Sequence, residues 1–332
     1  MQQLTMKTLV CQAALLGATL CITAVTLAQE VRVAPARIDS NASRAMMLDI
    51  AKAGNHTVAV GEHGYVLLSN NDGKKPRQAK KVPVDFTLTA VSFVDESNGW
   101  AVGHGSSVIH TTDGGDTWLL QHIDTKVDQP LFTVYFRDAQ VGWAAGLWSL
   151  LLSTRDGGKT WTQVTLPLPP EHKRADMNLL NIFPGGDNAL YIAAEQGAVL
   201  RSNDDGASWQ YMKTGSNASL WAGVTTPAKT LLVGGLGGKM FRSTDSGETW
   251  QAVSSQGDGS ITHIVSNGKT LWATSLDGRL IRSKDDGQTW SFAYTDQAPL
   301  TAVAVRGDDS YVLYSKQGLV ATPGQNVTVS SK

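Results

Sequence analysis

A single eight-residue pattern recurs along the chain, and its recurrence restricts the possible folds more than any other feature. The pattern is Ser/Thr-x-Asp-x-Gly-x-Thr/Ser-Trp, and it occupies residues 111–118, 154–161, 202–209, 243–250 and 283–290. Successive tryptophans of these copies are 43, 48, 41 and 40 residues apart. A period of about 40 residues is typical of architectures in which each repeat packs against its neighbours.

Two weakened copies flank the five complete ones. Upstream, residues 69–73 have Asn71 in place of the aspartate and no tryptophan follows. Downstream, the apolar segment that precedes the motif persists at 318–321, but the motif itself becomes Pro323-Gly-Gln. Since terminal repeats are normally atypical, we count seven units across residues 44–331.

Each unit is predicted to contain four short strands, which in the second unit are residues 89–94, 99–102, 107–111 and 118–122. The position five residues before the box aspartate is apolar in every unit, and the next position is nearly as apolar. A strand buried on both faces is expected where sheets stack radially against neighbours. The sequence therefore predicts an all-β fold, a seven-bladed β-propeller of four-stranded antiparallel blades, and disfavours a linear solenoid. Residues 29–43 form an N-terminal extension, and the sequence leaves open whether 31–33 add a closing strand.

The recurring motif is interpreted as turn chemistry between the third and fourth strands of a blade. An aspartate can accept hydrogen bonds from backbone N–H groups two residues on, the glycine tolerates a positive φ, and the tryptophan covers the hairpin. Equivalent positions on different blades lie around a rim, so five such carboxylates cannot converge on one substrate or metal ion. The predicted structural residues are Asp113, Asp156, Asp204, Asp245 and Asp285 with Trp118, Trp161, Trp209, Trp250 and Trp290.

The first 28 residues have the layout of a secretory signal. Lys7 precedes an apolar run that ends at Ala28, after which cleavage is predicted. An uncleaved membrane anchor is the alternative, and no other stretch has the roughly 20 apolar residues needed to span a bilayer. Both cysteines, Cys11 and Cys21, lie inside the signal, so the mature chain has neither disulfides nor cysteine-based sites. This pattern favours a periplasmic or otherwise exported protein.

Charge and motif content exclude several function classes. With 28 Lys+Arg against 29 Asp+Glu, the net charge is −1, whereas nucleic-acid binders neutralise phosphates with clustered basic residues. The chain contains no phosphate-loop spacing, no H-E-x-x-H and no G-x-S-x-G. We therefore predict no nucleic-acid partner, no cofactor, no metal and no catalytic residue.

The motif is the Asp box, also called the BNR repeat. Together with NGWAVG at 98–103 and VGWAAG at 141–146, the repeats resemble the photosystem II stability/assembly-factor propellers and their relatives in non-photosynthetic bacteria. The resemblance covers nearly all of the mature chain. It implies a non-enzymatic propeller that binds a protein client during membrane-complex assembly. Outside photosynthesis, the expected client is another envelope system such as a transporter.

A sialidase-like glycoside hydrolase is the alternative function, because sialidases share the Asp box. Sialidases usually also carry an Arg-Ile-Pro signature, whereas Arg37-Ile38-Asp39 lacks the proline. Paired carboxylates for glycoside hydrolysis are left open by the sequence, since their separation in space cannot be read from it.

Partner binding is predicted on the face opposite the boxes, where the turn between the second and third strands changes from blade to blade. Trp148 is the expected aromatic anchor there, since tryptophan is enriched in binding hot spots. The long proline-rich loop at 167–176 lies on the same face. Ordinary solvated turns also diverge between repeats, and a loop insertion without function is the alternative for 167–176. The candidate residues are Glu62, His63, His104, Trp148, Glu195, Gln196, Asp277 and Lys316, with Glu171, His172, Lys173 and Arg174 in the loop.

A second candidate surface is a basic strip. Arg201, Arg242 and Arg282 each stand three residues before the box aspartate of the fourth, fifth and sixth units. Packing of the arginine stems with local hydrogen bonds is favoured for them, and a strip that binds a partner is the alternative.

Overall fold

The computed structural model describes residues 32–70, 75–127, 129–170, 173–306 and 308–321. The predicted signal at 1–28 lies outside these ranges. Within them the chain forms successive antiparallel sheets, each paired in sequence order, and the whole is a seven-bladed β-propeller as predicted. Six blades show four strands each, and the described part of the seventh shows three.

The strands alternate with short turns and follow the 41-residue repeat. The first three blades are β1 (Met47–Ala53), β2 (His56–Gly61), β3 (Val66–Ser69), β4 (Arg77–Gln78), β5 (Leu88–Phe93), β6 (Gly99–Gly103), β7 (Val108–Thr111), β8 (Leu119–His122), β9 (Leu131–Phe136), β10 (Gly142–Gly146), β11 (Leu151–Thr154) and β12 (Thr162–Gln163). The next two are β13 (Leu179–Gly186), β14 (Ala189–Ala194), β15 (Ala198–Ser202), β16 (Gln210–Lys213), β17 (Leu220–Thr225), β18 (Leu231–Gly235), β19 (Met240–Ser243) and β20 (Gln251–Val253). The last two are β21 (Ile261–Ser266), β22 (Leu271–Ser275), β23 (Arg279–Ser283), β24 (Ser291–Thr295), β25 (Leu300–Val305), β26 (Tyr311–Ser315) and β27 (Gly318–Leu319).

Helical structure in the described ranges is confined to single 3-10 turns. They span Ala42–Arg44, Glu62–Gly64, His104–Ser106, Leu147–Ser149 and Leu236–Gly238. Four of the five join the second and third strands of a blade.

The hydrophobic core consists of the seams between blades. Seven clusters of buried side chains are present in the described residues, and each joins two adjacent blades, including the last and the first. The inner strand of every blade contacts the inner strand of the next, and β25 contacts β1. The predicted apolar column five residues before the box aspartate is buried, from Val66 in the first blade to Val320 in the seventh, and Trp100, Trp143 and Trp272 on second strands are at most 2% exposed. The ring therefore closes by packing one sheet face on the next.

The described part of the N-terminal extension lies on the first blade. The Ala36 N–H donates to Val82 O (3.1 Å), and Gln78 Nε2 donates to Arg37 O (2.7 Å). The turn Ala42–Arg44 then contacts β4 of the first blade and β27 of the seventh. Gly318, with φ +91°, is required there, because a Cβ would lie 2.2 Å from Ser43 O. Val31 lies outside the described residues, and Arg32 and Val33 are not in a strand.

Candidate functional site

The antiparallel blades give the propeller two different faces. The box face carries the hairpins between third and fourth strands, in which the Asp boxes lie. The turn face carries the turns between second and third strands together with the connections from one blade to the next. Hydrogen bonds from Asp124 N to Gly105 O (2.9 Å) and from Leu147 N to Pro130 O (3.0 Å) join these turns to the connections.

Each Asp box is a closed hydrogen-bond circuit, as the box at 202–209 illustrates. Asp204 Oδ1 accepts from Ser202 Oγ (2.8 Å) and from the Ser208 N–H (2.8 Å), while Asp204 Oδ2 accepts from Ser208 Oγ (2.6 Å). Ser202 Oγ in turn accepts from the Gly206 N–H (2.9 Å). The sequence predicted that the carboxylate accepts a hydrogen bond from the backbone N–H two residues later. This was wrong, because Asp204 accepts from the N–H of Ser208, four residues later. These donated bonds, led by the Ser208 hydroxyl, lower the pKa of Asp204 to about 2.

The boxes also clamp neighbouring blades together. In all five complete boxes, the carbonyl of the residue after the aspartate accepts a hydrogen bond from the preceding blade. The donors are His56 to Gly114 O (2.7 Å), Trp100 to Gly157 O (3.2 Å), Arg155 to Asp205 O (2.9 Å), Tyr191 to Ser246 O (3.1 Å) and Arg242 to Asp286 O (2.8 Å). The box carboxylates and the loops they hold are thus engaged in the blade seams.

Two of the three strip arginines belong to these seams. The Arg201 side chain is 10% exposed, donates to Ser246 O (2.9 Å) and pairs with Glu248 (2.7 Å). The Arg242 side chain is 14% exposed and pairs with Asp286 (2.7 Å). Arg282 lies over the Trp272 ring, 5.9 Å from its centroid. Each of the three contacts a different set of groups, so they do not converge on one ligand position.

Three carboxylates predicted to bind a partner on the turn face make local contacts. Glu62 Oε2 accepts from the Met46 N–H (3.2 Å). Glu195 accepts from the Asn178 N–H (3.0 Å) and from Asn178 Nδ2 (2.8 Å). Asp277 accepts from Arg279 Nε (2.6 Å). The Glu62 and Glu195 contacts hold their turns to the residue that precedes the inner strand, whereas the Asp277 contact lies within its own hairpin.

The other predicted residues spread around the ring. His63 and His104 are exposed on the first two blades, and Lys316 is exposed on the seventh. Glu171 and His172 lie outside the described residues, while Lys173 and Arg174 are exposed. Pro170 and Gln196 line a cavity of about 260 Å³ beside the fourth blade, so the proline-rich loop borders the fourth turn.

Trp148 shares a left-handed backbone with two other candidates, His63 (φ 57°) and Gln196 (φ 56°), and has the bulkiest side chain of the three. It has φ 52° and ψ 49°, a left-handed conformation that the equivalent Gly105 and Gly237 adopt without strain. A bulky residue there is a conformational outlier that costs on the order of 1 kcal/mol or more. The side chain is nevertheless 55% exposed. The Trp148 N–H donates to Asn178 Oδ1 (3.1 Å), so Asn178 connects this turn to Glu195.

A further ring of residues surrounds the turn-face end of the inner strands. Every inner strand has a register shift at its second residue. Such bulges re-aim side chains and often adjoin functional sites. The residues in this position are Leu48, Thr89, Phe132, Leu180, Trp221, Thr262 and Thr301. All except Thr301 are half-buried.

Apart from Leu48 on the first blade, the apolar members of that ring lie on blades three to five. Thr89 Oγ1 and Thr262 Oγ1 donate to Leu131 O (2.7 Å) and Leu300 O (3.0 Å) of the next blade, so these threonines are structural. Phe132 and Leu180 have no polar side-chain atom with which to make such a bond, and Trp221 follows them on the fifth blade. With the exposed side chains nearby on the same face, they form what we call the apolar arc: Phe132, Trp148, Leu168, Leu180, Trp221 and Leu236.

Sequence reasoning identified Trp148 but missed most of the apolar arc and Asn178. A signal was present, because the second residue of each inner strand follows an invariably apolar first residue and changes type between units. The sequence alone did not explain this variation, because the bulge at the second residue is seen only in the structure. Among the residues that the structure describes, no three His, Cys, Asp or Glu side chains are grouped to hold a metal ion. Nor does any helix in those ranges have the length and apolar character to cross a bilayer.

Comparison with known protein families finds a match over part of the chain. Residues 69–220 match the family model described as photosynthesis system II assembly factor YCF48. The photosystem II assembly protein Ycf48 of Thermosynechococcus vestitus is 37% identical over 54 residues, which cover 15% of this chain. The alignment spans only 16% of that relative's length.

Solved structures with the same architecture cover almost the whole propeller. A structure of YCF48 bound to D1 peptide superposes with a TM-score of 0.68 at 19% identity, covering 87% of this chain and 96% of that one. YCF48 from Cyanidioschyzon merolae superposes with a TM-score of 0.66 at 17% identity, covering 86% and 97%. At this identity the similarity establishes the fold.

Proposed function

We propose that the chain is a photosystem II assembly-factor-like β-propeller, a non-catalytic scaffold that binds a protein client; the family model that matches residues 69–220 supports this. The client belongs to a membrane complex or an envelope transporter, whose assembly or operation the propeller supports. A propeller of the same fold, YCF48, has been solved with a D1 peptide, which supports a peptide segment as the kind of ligand.

The observation that carries this proposal is the conformation of Trp148. Glycine occupies the same position in two other blades and His63 in the first, so the turn does not need a tryptophan in order to form. Strain of this kind persists at ligand-binding positions. The client-binding site that we propose is therefore the apolar arc, with Trp148 as its anchor and the 167–176 loop at its border.

A scaffold role also fits the environment of the chain's ionisable groups. The box carboxylates accept several hydrogen bonds each, and Arg201 and Arg242 are paired in blade seams. No observation favours the sialidase-like alternative. Export through the predicted signal, with cleavage after Ala28, completes the proposal, and the signal lies outside the described residues.

The test compares two exposed aromatics that match in exposure. Trp148 and Phe292 are both 55% exposed, and Phe292 lies on the outer strand β24 of the sixth blade. Detergent-solubilised envelope proteins are passed over immobilised mature protein, and retained proteins are identified by mass spectrometry. We expect Trp148→Gly to lose a retained client that both the wild type and Phe292→Ala keep.

Folding is controlled by the melting temperature, which should stay unchanged or rise in Trp148→Gly because glycine relieves the strain. Retention of the same client by Trp148→Gly and by a deletion of residues 168–175 would refute the site. Loss on Arg201→Met and Arg242→Met alone, in folded protein, would move the interface to the basic strip.

A further inference from the structure

One type of hydrogen bond recurs between neighbouring inner strands near the propeller axis. In four blades, a polar side chain at the third residue of the inner strand accepts an N–H from the next inner strand. The pairs are Asp49 with Val91 N (2.8 Å), Thr133 with Ile182 N (3.0 Å), Asn181 with Gly223 N (2.9 Å) and His263 with Val303 N (3.2 Å). Four chemically different side chains therefore accept the same hydrogen bond between neighbouring inner strands.

His263 is unlike the other three because it is the acceptor that can gain a proton near neutral pH. Its Nδ1 accepts from the Val303 N–H of the seventh blade. This assigns the proton of the neutral ring to Nε2, which lies 3.5 Å from Asp49 Oδ1 of the first blade. The imidazole thus touches both the last blade and the first, and the seventh blade has only Ala302 at the equivalent position.

Few charged groups surround this imidazole. The elements packed on β21 are β17, β18, β22, β25 and the turn Leu236–Gly238, and none of them contains an ionisable residue. The charged group that acts on His263 is Asp49 of β1. Lys52, also on β1, lines a separate cavity with His56 and Arg306.

We propose that His263 is an acid-sensitive clasp that closes the propeller ring between the sixth, seventh and first blades. When Nδ1 takes up a proton it becomes a donor and faces the Val303 N–H, which is also a donor. The hydrogen bond between β21 and β25 is then lost, while the contact with Asp49 becomes an ion pair. The closing seam loosens on the side of the seventh blade and is retained across to the first.

The direction of the pH effect follows from burial. Burial is the main cause that lowers the pKa of His263, and the opposing attraction of the Asp49 carboxylate is smaller. A histidine whose pKa is lower in the folded state binds fewer protons there than in the unfolded chain. Its stabilising contribution is complete well above the ordinary value of about 6.5 and is lost as the pH falls below it.

The test follows amide hydrogen exchange at single residues by NMR between pH 7.5 and 5.5. We expect the protection of the Val303 amide, relative to that of the Gly223 amide, to fall by up to about tenfold, the limit set by one proton with an ordinary pKa near 6.5. Gly223 is the internal control, because its acceptor Asn181 does not titrate.

His263→Asn is the matched variant, since Asn181 makes the same contact in the fourth blade. It should keep Val303 protected at pH 7.5 and abolish the relative loss at pH 5.5. Asp49→Asn is the second variant and removes the carboxylate that favours the imidazolium, so the His263 ring should titrate at lower pH. A Val303-to-Gly223 ratio that does not change with pH in the wild type, or changes equally in His263→Asn, would overturn the clasp.

Discussion

Each box aspartate holds the two ends of its turn at once, and its ionisation state is tied to that task. In the box at 243–250, Asp245 accepts from the Thr249 N–H (2.9 Å), Thr249 Oγ1 (2.6 Å) and Ser243 Oγ (2.7 Å). These bonds, the Thr249 hydroxyl first, lower the pKa of Asp245 to about 2. Bonds donated to a carboxylate favour its charged form. The boxes are therefore expected to stabilise the propeller at neutral pH and to weaken in acid.

Acid unfolding should reveal this contribution. A carboxylate whose folded pKa is lowered stabilises the protein fully above its unfolded pKa of about 3.9 and loses that effect as the pH falls through the folded value. We expect Asp204→Asn to melt below the wild type at pH 7, and the difference to shrink between about pH 4 and 2. Thermal unfolding at stepped pH measures it, with Asp258→Asn, an exposed carboxylate outside the boxes, as control. A constant difference down to pH 2 would contradict the prediction.

At the scale of the element, a blade is incomplete without its neighbour. Second and third strands are buried on both faces, and the carbonyl inside each complete box accepts a bond from the preceding blade. The box tryptophan adds to this packing: Trp209 is 7% exposed, belongs to the cluster between the third and fourth blades, and donates to Gly206 O (3.1 Å). Stability is thus shared along the seams.

Truncation of this tryptophan should be costly. We expect Trp209→Ala to lower the free energy of unfolding by about 3–5 kcal/mol, as for other buried aromatics. Phe292→Ala, on an exposed outer strand, should change it by less than about 0.5 kcal/mol. Urea unfolding followed by circular dichroism compares the two. Similar losses in both variants would mean that Trp209 packs no better than a surface residue.

At the scale of the whole molecule, the ring closes through contacts from both ends of the described chain. The turn Ala42–Arg44 contacts β27, and one cluster joins Met47, Ile50 and Leu67 of the first blade to Ala302 and Tyr314 of the seventh. A processed N-terminus must leave these residues in place. Cleavage after Ala28 does so.

The N-terminal residue of the protein tests the proposal that the chain is exported. We expect the protein recovered from a soluble envelope fraction to begin at Gln29, because Ala28 ends the apolar run of a secretory signal. Mass spectrometry of the intact protein gives its N-terminus. An uncleaved chain in the membrane fraction, or a lipid on Cys21, would contradict this expectation.

The repeat made most of the architecture predictable from sequence. The number of blades, the order of their strands and the two faces follow from a motif that recurs every 41 residues or so, and the predicted strands of the second blade agree with β5–β8 to within about one residue. Local turn chemistry and strand burial depend on residues close in sequence, so they can be read one unit at a time. Trp148 was identified in the same way, as an aromatic in a variable turn.

The amino-acid sequence by itself determined the seven-bladed fold, the structural role of the boxes and the face on which the turns vary from blade to blade. Only the tertiary structure decided which of the candidate residues are engaged, since Glu195 is bonded to Asn178 and Arg201 to the next blade. It also decided the bulges at Phe132, Leu180 and Trp221, and the contact of His263 with Asp49. The physical reason is that ring closure brings together residues far apart in the chain, and no local pattern records such contacts.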